Sequence, residues 1–73
     1  MTLPIDQLRA LEARTELSPM QMPQLLGVAY VTYAKWRTGE RDVQEYHARL
    51  IEALMLLSNP ALRQMIERHV HGN

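Results

Sequence analysis

The sequence predicts an all-α fold of five helices, on three observations. Apolar residues recur at three- and four-residue spacing along most of the chain. The gaps between these stripes carry helix-boundary residues: Ser18-Pro19, Gly27, Gly39 and Ser58-Asn59-Pro60. The one β-prone run, Val28 to Tyr33, has no second strand to pair with and is flanked by cap and glycine signals, so it reads as helix.

Helix one is expected from Pro4 to Thr15. Pro4 suits a first turn, where a missing N–H is harmless, and Asp6 favours the positive N-terminal end. Ile5, Leu8 and Leu11 form its stripe, and Ala10 and Ala13 are small enough for close packing. Helix two is expected over 19–26. Ser18 is its cap, Pro19 its first residue, and Gln21 the third position of a capping box. Leu17 and Met22 flank that cap at the spacing of a hydrophobic staple. Met22, Leu25 and Leu26 form the buried stripe, and Gly27 ends the helix by tolerating a left-handed backbone. Helix three is expected over 30–38, opened by Ala29 and closed by Gly39, with Tyr33 and Trp36 facing inward.

Gly39 to Asp42 reads as a loop and Val43 to Leu57 as a long helix four. Val43, Tyr46, Leu50, Leu54 and Leu57 make one stripe, which His47, Ile51 and Met55 widen. Asn59 is then expected to cap helix five, with Pro60 at its first position. Leu62, Met65, Ile66, His69 and Val70 form its apolar face, and Arg63, Glu67 and Arg68 its polar side. His71-Gly72-Asn73 reads as a frayed tail.

At 73 residues the chain is expected to be one domain, 1–73, with a modest core often helped by a partner subunit. It has no cysteine, so it carries no disulfide framework or thiolate metal site, which fits a reducing cytoplasm. Neither a leader nor a membrane-length apolar run is visible, so a cytoplasmic location is expected. Eight basic and eight acidic residues cancel. The distribution matters more than the sum. Lys35, Arg37 and Arg41 cluster at the end of helix three, while Asp6, Glu12 and Glu16 lie in the first segment.

The stretch from Ser18 to Gly39 resembles the helix-turn-helix of the Cro and lambda-repressor type of transcriptional regulator. The residues that carry the likeness are Ser18 as cap, Met22 and Leu26, Gly27-Val28 in the turn, Thr32, and the run Trp36-Arg37-Thr38-Gly39-Glu40-Arg41. The likeness extends over Pro4 to Leu57. Two positions depart from the pattern: Pro23 stands where the family usually has Ala, and Ala29 where it prefers Ser. The second departure leaves helix three without its usual side-chain cap.

The resemblance implies a five-helix lambda-repressor-like domain with motif 18–39, and helices four and five (43–70) for core and dimerisation. It implies that helix three lies in the DNA major groove, with Tyr30, Val31, Thr32, Ala34 and Lys35 directed at bases. Lys35 can donate to guanine, while Val31 and Ala34 suit thymine methyls. Pro19, Gln21, Arg37, Thr38 and Arg41 are the implied phosphate contacts, which position without reading sequence. Each residue also has a plainer reading. Tyr30 can be a partly buried aromatic, Lys35 a solvated charge, and Arg37 the partner of a nearby carboxylate. Met55, Leu62, Met65, Ile66, His69 and Val70 are the expected dimer interface. Their breadth exceeds what a small domain needs for its own core, though an ordinary core is the alternative.

Repressors of this type bind inverted-repeat operators as two-fold dimers, with half-sites about 34 Å apart. The expected function is therefore a dimeric, sequence-specific double-stranded-DNA-binding repressor. It would be controlled by its own concentration, as in autoregulatory phage, plasmid or anti-CRISPR-operon regulators. Zero net charge and broad apolar faces motivate a rival: a protein-interaction module, such as an antitoxin or adaptor, on the same scaffold. His69 and His71 are wrongly spaced for one helical face and lack an acidic or thiol partner nearby, so no metal is expected. There is no Ser-His-acid or paired-carboxylate constellation, so no catalytic residue, enzyme activity or cofactor is expected. Neither a membrane nor a small-molecule effector is an expected partner.

Overall fold

Helix α1 (Ile5–Thr15) forms where the leucines recur at helical spacing and Asp6 meets the positive end of the helix. The computed structural model describes residues 5–72, so the expected start at Pro4 lies outside the described residues. Leu8 and Leu11 are buried and Ile5 is half-buried. Ala10 and Ala13 face solvent instead of a neighbouring helix. Each lies two residues beyond a core leucine, about 200° round the helix. Thr15 stops α1 from inside. Its hydroxyl donates to Leu11 O at 2.9 Å, and its oxygen accepts the Leu17 N–H at 3.3 Å. Glu16 follows with a left-handed φ of 59°, which costs a non-glycine residue about 1 kcal/mol.

The Ser18–Gln21 capping box is formed. Gln21 N–H meets Ser18 Oγ at 3.3 Å, and Ser18 N–H meets Gln21 Oε1 at 3.1 Å. Regular helix α2 (Met22–Leu26) nevertheless begins later than residue 19, and Pro19 to Gln21 form a turn. Pro23 explains the difference, because it has no N–H to offer the Pro19 carbonyl. Met22 N–H reaches Ser18 O at 3.0 Å, and Gln24 N–H falls back to Gln21 O at 3.0 Å. Leu17 and Met22 are both buried, as the staple spacing requires.

Gly27 leaves α2 with φ 72°, and its N–H returns to Pro23 O at 2.8 Å. Helix α3 (Tyr30–Thr38) starts after an extended Ala29 that supplies no side-chain cap, and ends at Gly39 with φ 81°. Helix α4 (Glu45–Leu56) is shorter than the expected 43–57. Val43 enters the core from the loop before it. The phase of α4 is therefore set by Ile51 and Leu54, which turns Tyr46 outward rather than into the apolar stripe.

Helix α5 (Asn59–Ile66) is capped by Ser58, not Asn59: the Ser58 Oγ accepts the Ala61 N–H at 3.3 Å. Asn59 has another role, described below. The chain then widens into a π-helical turn (Glu67–His71). In that i→i+5 geometry, Val70 comes back over the core and His69 is turned to solvent. The face expected to dimerise is thus mostly turned inward. Leu62 is buried in the core, and Met55, Met65, Ile66 and Val70 pack half-buried against it. These residues cover the chain's own core, and among the six only His69 is exposed.

The helices meet around α1, which packs on α3, α4 and α5, while α2 packs on α3, α4 and the π-helical turn. No strand occurs among the described residues, and no helix among them is long and apolar enough to cross a membrane. Arg14 ties α1 to the end of α4. Its Nη1 donates to Leu54 O at 3.2 Å and Met55 O at 2.6 Å, and its Nη2 donates to Leu57 O and to Asn59 Oδ1, the latter at 3.2 Å. A cation is well placed there, at the negative end of a helix whose last carbonyls lack an i+4 donor within the helix. Replacing Arg14 by Ala is expected to lower stability by about 2 kcal/mol, since bonds to a charged donor are the stronger kind. Urea denaturation should show this as a lower midpoint with an unchanged slope.

Candidate nucleic-acid interface

Helix α3 is locked by one side and presented by the other. Tyr33 and Trp36 are 0% and 3% exposed, packed edge to face with ring centroids 6.2 Å apart. Trp36 also packs against His47 of α4, at 5.1 Å between centroids. His47, expected to widen the apolar stripe of helix four, is half-buried in this cluster. Away from the core, Tyr30 and Val31 are exposed, and Thr32, Ala34 and Lys35 are half-exposed. The five expected base contacts thus share one short helix, with the first two standing furthest from the core.

The expected phosphate contacts are placed less uniformly. Thr38 and Arg41 are exposed at the C-terminal end of α3. Thr38 Oγ donates to Lys35 O at 3.2 Å, and the Arg41 N–H reaches the same carbonyl at 3.2 Å. Pro19 and Gln21 are half-buried in the turn before α2. Pro19 has no N–H to donate, whereas Gln21, whose Oε1 accepts from the Ser18 N–H, keeps its amide Nε2 as a donor. Arg37 faces inward to Glu12 of α1: its Nε lies 2.8 Å from Oε2, and its Nη2 donates to Oε1 at 3.3 Å. Lys35 Nζ lies 3.7 Å from Glu40 Oε2 on a more open surface, where such a pair is weak.

Glu12 also accepts a hydrogen bond from the Tyr33 hydroxyl. One carboxylate thereby holds two successive turns of α3. Burial pushes the Tyr33 pKa well above its ordinary value; the bond to Glu12 and that residue's negative charge add to the rise, and Arg37 partly offsets it. Sequence reasoning placed Glu12 only among the acidic residues of the first segment. A readable signal exists, because Glu12 falls between Leu8, Leu11 and Thr15 on the buried face of α1. An acid on an apolar face needs a buried partner. Arg14 gave no comparable signal, since its acceptors are backbone carbonyls some forty residues away.

Compared with known proteins, the chain matches no family model, no curated protein and no solved structure.

The raised pKa of Tyr33 has a defined consequence for stability. The unfolded phenol ionises near pH 10, while the folded phenol stays neutral to higher pH. Its contribution is complete below about pH 10 and is lost as pH rises beyond that value. Wild-type stability should therefore fall more steeply above about pH 10 than that of Tyr33→Phe. Urea midpoints measured for both across that range test this, and parallel curves would contradict it.

Proposed function

We propose that this chain is a lambda-repressor-like helix-turn-helix regulator that binds double-stranded DNA through α3 in the major groove. One observation carries the reading. A left-handed Gly27 turn projects the start of α3 from the core, while Tyr33 and Trp36 seal its other side. The residues that reach base edges are Tyr30, Val31, Thr32, Ala34 and Lys35. Lys35 exchanges its weak contact with Glu40 for guanine, and Val31 and Ala34 favour thymine methyls. Thr38 and Arg41 contact phosphate, whereas Arg37 stays on Glu12 and holds the helix. The protein acts as a repressor and engages an inverted repeat as a two-fold dimer.

The rival reading, a protein-interaction module such as an antitoxin or adaptor, is favoured by a separate observation. Both cations of α3 lie within 4 Å of a carboxylate, and the exposed start of the helix is apolar. A protein partner would cover Tyr30 and Val31 without competing for either charge.

Selection from a pool of random duplexes, followed by affinity measurement at two salt concentrations, separates the two. The DNA reading expects one enriched sequence, bound less tightly as salt rises. Lys35→Ala should then weaken the enriched site by about 1–3 kcal/mol. A pool with no enriched sequence at low salt would overturn the DNA reading.

A further inference from the structure

Helix α4 has a second side that the fold does not use. Ile51 and Leu54 face the core, with His47 half-buried beside them. Tyr46, Arg49, Ala53 and Leu56 are all exposed. They fall at intervals of three, four and three residues, the seam spacing of two packed helices. Tyr46 is 65% exposed and Leu56 is 81% exposed. These two large apolar side chains stand about 15 Å apart along the axis. Ala53, between them, is small enough to admit a second helix closely.

The charges beside this stripe have a pattern of their own. Arg49 holds Glu45 of the preceding turn at 3.1 Å, across a largely exposed pair. Glu52 is exposed, and no ion pair to it is found among the described residues. Laid antiparallel on itself about a two-fold axis, the stripe is its own complement. When Tyr46 lies over the partner's Leu56, Arg49 lies over the partner's Ala53. The aliphatic stem of Arg49 then covers that alanine, and its guanidinium reaches the partner's Glu52. Apolar ends and alternating charges match in one register.

We propose that a second copy of this chain docks on the outward stripe of α4, forming an antiparallel α4–α4 pair. This replaces the α5 face, whose apolar residues already cover the core. The inference stands on the surface of α4 and holds whether or not the chain binds DNA. A single helix pair is a small interface, so the dimer is weak and concentration-dependent.

Sedimentation equilibrium of the full chain over a concentration series tests the proposal. The average mass should rise from one chain towards two. Leu56→Glu should weaken association about tenfold or more, with helical circular dichroism unchanged, because that side chain touches little of its own fold. Arg49→Glu or Glu52→Arg alone should also weaken it, and the two together should restore it. A wild-type chain that stays single throughout, a dimer indifferent to Leu56→Glu, or a double variant that fails to recover would each overturn the proposal.

Discussion

The carboxylate of Glu12 is the constraint on which the placement of α3 depends. It is largely buried, and it meets a phenol and a guanidinium from successive turns of one helix. Burying an ionised acid is costly unless several donors face it, so the three groups must come together or not at all. That requirement sets both the rotation of α3 and its height along α1. Apolar packing by Tyr33 and Trp36 alone would tolerate a small roll of the helix. The ion pair and the hydroxyl contact make such a roll expensive, so the outer face is carried on a fixed base.

Arg14 does for α4 what Glu12 does for α3. Two residues of α1, on opposite flanks of its buried face, reach in different directions: one to a helix body, the other to a helix end. Because Arg14 also holds Asn59 Oδ1, it joins the end of α4 to the first residue of α5. Helix α1 thus organises three others through polar contacts as well as leucines. In a chain of 73 residues, whose core is small, such contacts supply orientation that packing volume alone does not.

The parts of the fold legible in the sequence were those governed by nearest neighbours. The Ser18–Gln21 box and the left-handed glycines at 27 and 39 depend on a few residues each, and those residues declare them. The inward pair Tyr33 and Trp36 follows from spacing. Errors arose where a local rule had a distant competitor or a second local rule. Asn59 is a good cap by type, yet Arg14 engages its oxygen and Ser58 caps instead. Pro19 suits a helix start, but Pro23 withdraws the N–H that would extend the ladder. Tyr46 matched a stripe that assumed a helix running through Val43. Of the candidate site, the outward residues of α3 came from the resemblance, and Tyr30 and Val31 are exposed in the fold while Thr32, Ala34 and Lys35 are half-exposed. The inward attachment of Arg37 had been an open alternative, and only the folded position of Glu12 decides it.

The π-helical turn after α5 has a consequence for how this chain tolerates changes in length. Its hydrogen-bonded turn closes one residue later than an α-turn does, and Ile66 and Val70 both pack half-buried on the core. Gly72 ends it against the Glu67 carbonyl, where an added Cβ would lie 2.3 Å from the oxygen. Removing a residue from this segment lets it relax to ordinary α winding while the apolar contact survives. A side chain at position 72 would meet the Glu67 carbonyl, so the turn closes over a glycine. The wider winding thus holds in reserve one residue by which this segment can shorten.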